Sequence, residues 1–251
     1  MTQQETIYII KCRFEKIATS FDEAIAYLDA EDIHAFRAEV KKLRAFLQLA
    51  PSGTKVKMPG RLHLFYRMVG EIRNLQLQQQ RIRDAFLGQN CLPQTYLNLL
   101  AIETANAIRV ARKFACNRLS IPVEERQLLD VFTNLTKNSS QEFVSNTLSR
   151  LQTLGNTQHP LDDDALHRFR KCLKGLIYNH PYIEEEAGHI LPSLLSDGKE
   201  SISALTDLLG QFQDLRSGLD FLQPVYIDQV IDSGEKKMLE AIRALWEKDK
   251  A

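Results

Sequence analysis

Glycine is scarce in this chain, with eleven in 251 residues, too few for an all-β fold that turns every ten residues or so. Four cysteines, Cys12, Cys91, Cys116 and Cys172, never fall in a CxxC pair. That spacing fits free thiols in a reducing compartment better than a disulfide framework or a zinc site. No segment approaches about eighteen uninterrupted apolar residues, and the N-terminus MTQQETIYIIKCRFEK lacks the basic start, apolar run and small-residue cleavage site of a secretory leader. A cytoplasmic, soluble protein is expected, in which the sequons at Asn134 and Asn138 carry no meaning. Net charge is missing too: 32 basic groups balance 32 acidic ones. Nothing therefore draws the whole chain onto a polyanion, and any anion site must be local. GxxxxGK[ST], GxSxG and HExxH do not occur and no Ser/His/Asp set can be nominated, so no catalytic residue and no cofactor is expected.

What is present is helical periodicity. Strand-like alternation bounded by turns is hard to find, and helices are expected at roughly 4–29, 31–49, 60–87, 93–118, 122–154, 162–180, 200–222 and 225–248. The breaks APSGTKVKMPG, LGQNCLP, SIP, GNTQHP and LPSLLSDGK combine proline, glycine and small polar residues. The fold class expected is all-α.

The chain also repeats itself. DIHAFRAEVKKLRAFLQL (32–49) laid on ALHRFRKCLKGLIYNHPY (165–182) superposes His34 on His167, Phe36 on Phe169, Arg37 on Arg170, Lys41 on Lys174 and Leu43 on Leu176, an offset of 133 residues. RMVGEIRNLQ and DLLGQFQDLR then align on Gly70 and Gly210, at an offset of 140. Half a chain length is the offset of a duplicated unit. Two pseudo-symmetric four-helix bundles are expected, residues 1–120 and 121–251, together forming one domain.

On a wheel of about 100° per residue with His34 at zero, Arg37 falls near 300°, Lys41 near 340° and Arg44 near 280°. Ile33, Phe36, Val40, Leu43 and Leu47 span roughly 180° to 260° on the same wheel, so the basic stripe borders the core face. In the second copy, Leu166, Phe169, Leu173 and Leu176 face the core, flanked by His167, Arg170, Lys174 and Tyr178. Like charges three and four apart repel, and partial burial increases the cost. The nearby carboxylates, Glu31 with Asp32 and the run Asp162 to Asp164, belong to first helical turns, where they favour the dipole. An external polyanion is the inferred counter-charge. Stripes of this kind also arise from solvated helices whose long basic stems snorkel over the edge of a core.

With these residues the sequence resembles the CHAD family, whose name denotes a histidine-containing α-helical domain. The resemblance rests on His34, Arg37, Lys41 and Arg44, on LHRFRKCLK with His167, Arg170, Lys171 and Lys174, and on the glycine echo after each, and it runs over nearly the whole chain. It implies two pseudo-symmetric helical bundles and recognition of inorganic polyphosphate in a basic groove or pore. Carried over by position, the polyphosphate-binding set is His34, Arg37, Lys41, Arg44, His167, Arg170, Lys171 and Lys174, with Lys42, Arg67, Arg73 and Tyr178 as a second tier. Polyphosphate granules and polyphosphate-metabolising enzymes are the implied partners, and no attached triphosphate-tunnel domain is expected beside eight helices. Where the family shows Arg-Asp after the glycine, this chain has Arg73-Asn74 and Gln213-Asp214. Gly175 and Ile177 stand where the first copy has Lys42 and Arg44, so weaker, asymmetric binding is expected.

A linear polyphosphate suits such a stripe on chemical grounds, because Arg and Lys can meet its regularly spaced charges by repeated charge-assisted hydrogen bonds. The rival readings are a phosphate- or nucleotide-processing enzyme, a metal-binding accessory protein, and a nucleic-acid-binding or scaffold protein. HPLDDDALH sets His159 and His167 around three carboxylates, yet consecutive helical positions point in different directions, and no metal site is expected. Nucleic acid is disfavoured because no reading module is present and Phe36, Phe46, Phe86, Phe114 and Phe169 sit at core periodicity. Nothing in the sequence excludes a scaffold. Arg109, Arg112 and Lys113 read as a solvated face, and Trp246 as a core-edge anchor of the last helix.

Overall fold

The computed structural model describes the chain apart from residues 52, 53, 55, 89, 90, 133–139, 157–160, 188–198, 231 and 251 and the side chains of 184–187 and 199–203. Asn134, Asn138 and His159 lie outside the described residues. Among those described, every regular element is helical: α1 (Gln3–Tyr27), α2 (Ala30–Phe46) with a 3-10 turn at Leu47–Leu49, α3 (Gly60–Ala85), α4 (Gln94–Arg118), α5 (Ile121–Phe132), α6 (Ser140–Gly155), α7 (Asp163–Ala187), α8 (Lys199–Asp220), α9 (Pro224–Ile227) and α10 (Ser233–Lys250). The all-α expectation holds, and no described helix is long and apolar enough to cross a membrane.

Three expected helices take a different form. The stretch expected as one helix over 122–154 is described as α5 and α6, on either side of residues 133–139. The helix expected over 225–248 is α9 and α10, because Asp232 Oδ1 accepts from Glu235 N at 2.8 Å and starts a new helix. The helix expected to end at 180 runs through Pro181 to Ala187. Proline costs a backbone hydrogen bond there, and side chains around it anchor the turn. Asn179 Nδ2 donates to Ala45 O at 2.8 Å, Tyr182 packs on Phe46 at 5.0 Å between ring centroids, and Ile183 is buried.

Packing divides the chain into two compact units, each drawn from three stretches. Unit 1 comprises Met1–Thr19, Ala38–His63 and Ser120–Gln211, and unit 2 comprises Ser20–Arg37, Leu64–Leu119 and Phe212–Ala251. In unit 1, α6 packs along α7, and Val40, Leu43, Phe46, Val144, Leu173 and Leu176 are buried. The start of α3 is closed by a carboxylate from α5, the buried Glu124, whose Oε2 accepts from Leu62 N at 3.4 Å.

Unit 2 contains an aromatic trio. Phe21 lies 5.3 Å from Phe65 and Phe36 lies 5.4 Å from Phe65, both edge to face, which ties α1, α2 and α3 together. A second apolar cluster joins Leu75, Ile82, Tyr96, Leu100, Leu222 and Leu239, with Trp246 packed at its margin as the core-edge anchor expected of it. Here α4 is capped from another helix: both carboxylate oxygens of Glu235 accept from Thr95 N at 3.0 Å, and Oε2 also accepts from Tyr96 N at 3.3 Å. Arg109, Arg112 and Lys113 are exposed, and Arg112 Nη2 donates to Ala26 O at 3.3 Å in the last turn of α1.

Candidate functional site

The basic stripe of α2 is divided between the units. His34 and Arg37 belong to unit 2, and Lys41, Lys42 and Arg44 to unit 1. The helix is started by Asp29, whose Oδ1 accepts from Glu31 N and Asp32 N at 2.9 Å each, so Glu31 and Asp32 occupy the first turn while Asp29 supplies the cap. On α7 the cap is Asp162, accepting from Ala165 N at 2.6 Å.

In unit 2 the burial of Phe36 fixes where the next side chain emerges. Arg37 turns onto α3, where Nη1 donates to Tyr66 O at 2.6 Å and Cζ lies 4.2 Å from the centroid of the Tyr66 ring. The guanidinium then rests against Gly70: a Cβ at that glycine would overlap Nη1 and stand 2.7 Å from Cζ. Only a residue without a side chain leaves room for it, which gives the first glycine echo a physical reason.

Two more arginines of α3 stand in the same electrostatic field. Burial pushes Arg37 below its ordinary pKa; the Tyr66 phenol opposes that and Arg73 adds to it. Arg73 is lowered by burial and raised by Asp214 and Glu31. Arg81 is lowered by burial, raised by Asp214 and lowered again by Arg73. Each of these half-buried guanidiniums thus feels another cation or shares its carboxylates. Arg81 Nη2 stands 3.7 Å from Asp214 Oδ1, a loose contact to a carboxylate that is 65% exposed. Arg73 Nε is buried with no hydrogen-bond acceptor among the described residues. His34 is exposed one turn before Arg37, and Arg67 is exposed on α3.

In unit 1 the second glycine echo works in the same sense with more room. Arg170 approaches Gly210 so that a Cβ there would stand 3.4 Å from Nη2. Its Nε is buried without an acceptor among the described residues. One turn on, Lys174 Nζ stands 3.7 Å from Asp207 Oδ1, on a carboxylate that is 67% exposed. Pairs this open contribute little. His167 and Tyr178 are half-buried on α7. Lys171 follows Arg170 by about 100° around the helix, and it lines a cleft with Arg150 and Arg168.

On α2, Lys41 is half-buried and Arg44 is exposed in the last turn, where a cation favours the dipole. Lys42 is committed locally: it pairs with Glu39, which also takes Arg13 Nη1 at 3.4 Å. Arg81 is the residue that sequence reasoning passed over. Its one signal is its place two turns beyond Arg73 on α3, which becomes informative only once Asp214 is seen beside it. No three His, Cys, Asp or Glu side chains converge as a metal site among the described residues.

This pairing of a helix arginine with a glycine on another helix, seen once in each unit, lies within the part of the sequence that the CHAD domain family model matches, residues 9–223. The chain belongs to the CHAD family. The crystal structure of the CHAD domain from the plant Ricinus communis is similar in fold, with a TM-score of 0.65 at 15% identity, over 100% of this chain and 88% of that one. No curated protein matches the chain. In this CHAD domain the buried guanidinium nitrogens without an acceptor among the described residues are Arg73 Nε, beside the first glycine echo, and Arg170 Nε, against the second.

Proposed function

We propose that this CHAD domain binds inorganic polyphosphate, using Arg37, Arg73 and Arg81 in unit 2 and Arg170 and Lys174 in unit 1, with His34, Lys41, Arg44, Arg67, His167 and Tyr178 as flanking contacts. The observation that carries the reading is that three half-buried guanidiniums share one electrostatic field in unit 2, Arg73 acting on both Arg37 and Arg81, with the exposed carboxylates of Asp214 and Glu31 offsetting Arg73 and that of Asp214 offsetting Arg81. Burying like charges together raises the energy of the empty site, and a polyanion at their outward N–H groups relieves it. The guanidinium forks offer bidentate bonds to phosphate oxygens. Family membership supports the same class of ligand. The two arginine-glycine pairs, Arg37 with Gly70 and Arg170 with Gly210, favour descent of the two halves from one duplicated unit.

The protein acts as a binding module without a catalytic step, in the cytoplasm and in association with polyphosphate granules or the enzymes that make and degrade the polymer. Titration with polyphosphate of one defined length, orthophosphate and single-stranded DNA at two salt concentrations tests this. Polyphosphate binds more tightly than either competitor, and its affinity falls steeply with salt as counterions are released. Equal binding of DNA would defeat the specific reading. Incubation with polyphosphate or triphosphate releases no phosphate, and measured release would move the protein into the enzyme class.

A further inference from the structure

Between α6 and α7 of unit 1 lies a cleft of about 510 Å³, within the size range of small-molecule pockets. Its cations are Arg150, Arg168 and Lys171, its apolar wall includes Leu154, and the thiol of Cys172 faces it. No carboxylate is among the described lining residues. The three cations are exposed, and none has an ion pair or hydrogen bond with another described residue. Elsewhere in the same unit, Lys42 has Glu39 and Lys174 has Asp207. Lys171 and Arg168 face this cleft from α7, while Arg170 turns to Gly210. One helix thus presents positive charge on two faces.

We infer that this cleft is a second anion site, which takes a compact organic phosphate: phosphate oxygens against Arg150, Arg168 and Lys171, and the carbon skeleton against Leu154 and Cys172. Three cations with no partner among the described residues, placed around one pocket, repel one another, and a multiply charged anion is the partner that offsets this. The apolar wall gives an organic body something to bury that a bare phosphate chain lacks. The inference does not depend on polyphosphate binding by the arginines beside Gly70 and Gly210.

Cys172 provides the readout. Burial raises its thiol pKa and Arg150 opposes the rise, so labelling by an uncharged maleimide at mildly alkaline pH reports access to the cleft. The full chain is labelled with N-ethylmaleimide in the presence of ATP, tripolyphosphate or orthophosphate, and the modification rate is followed at each cysteine by peptide mass spectrometry. The exposed Cys91 and Cys116 are internal controls. ATP at about ten times its Kd slows labelling of Cys172 about tenfold and leaves the controls unchanged, and tripolyphosphate protects less. Arg150→Glu with Arg168→Glu and Lys171→Glu abolishes the protection while the far-ultraviolet helical signal persists; the milder set Arg150→Gln, Arg168→Gln and Lys171→Gln serves if the reversal unfolds the chain. No protection by ATP, or protection that survives in the folded variant, overturns the inference. Equal protection by tripolyphosphate overturns the organic part and assigns the cleft to bare phosphate chains.

Discussion

Arg37 rests on Gly70 so closely that a methyl group there would overlap its Nη1 atom and stand 2.7 Å from Cζ. At Gly210 a methyl group would stand 3.4 Å from Arg170 Nη2, an ordinary contact. The two glycines occupy matching places in the sequence and carry different steric loads. Gly70 holds an arginine in a fixed seat, whereas Gly210 merely leaves it space.

Opposite outcomes follow for alanine at the two positions. Gly70→Ala displaces the Arg37 guanidinium from Tyr66 O and lowers polyphosphate affinity about tenfold. Its cost in stability is limited to about 1–2 kcal/mol, because the gain in helix propensity offsets part of the lost hydrogen bond. Gly210→Ala leaves affinity within about twofold and raises stability by up to ~1 kcal/mol. Calorimetric titration and thermal melts of both variants check this, and similar loss of binding in the two would remove the distinction.

Within the arginine cluster, Arg73→Gln and Arg81→Gln each lower polyphosphate affinity about tenfold and reduce the salt dependence by roughly one counterion. Lys42→Gln, which removes a charge already committed to Glu39, changes affinity less than about twofold. A salt series on the three variants separates these cases. A loss at Lys42 as large as at Arg81 would shift the site along α2.

Asp32 gives a pH-dependent effect of definite sign. Its pKa is raised by desolvation and by the nearby carboxylates of Asp29, Glu23 and Glu31. A folded-state pKa above the unfolded value means that ionisation subtracts stability at neutral pH, and that the penalty disappears as the pH falls through the folded pKa. Asp32→Asn therefore raises the melting temperature at pH 7 and loses that advantage at pH 3. Melts at the two pH values measure it, with an equal shift at both as the contrary result.

Glu235 tests stability apart from binding. Its carboxylate accepts from Thr95 N, Thr95 Oγ1 and Tyr96 N and caps α4. Glu235→Gln costs about 1–2 kcal/mol, read as a lower denaturation midpoint, while polyphosphate affinity of the folded protein is unchanged. A parallel fall in affinity would connect this end of unit 2 to the ligand.

Helix positions were legible in the sequence because most follow apolar period and capping chemistry, as with Phe36, Val40 and Leu43 on α2. The exceptions have tertiary or local causes. Asn179, Tyr182 and Ile183 hold α7 together past Pro181, and Asp232 restarts the chain as α10. The glycine echo was visible as a pattern, but its cause is a contact between helices. Arg81 is not legible in the sequence because Asp214 is brought to it by packing, although Arg73 lies two turns before it on the same helix. The resemblance sets Lys171 beside Arg170, and because one residue is more than a quarter-turn of helix, Lys171 also lines the α6–α7 cleft, a placement that only the packing of α6 reveals.

The most direct measurement is titration of the wild-type chain and of Arg37→Gln/Arg73→Gln/Arg81→Gln/Arg170→Gln with polyphosphate of one defined length, with circular dichroism on both proteins. The wild type binds with an affinity that falls steeply with salt, and the variant keeps its helical signal and loses at least about a hundredfold in affinity. A folded variant that binds as the wild type does would contradict the assignment of these arginines to the polyphosphate site.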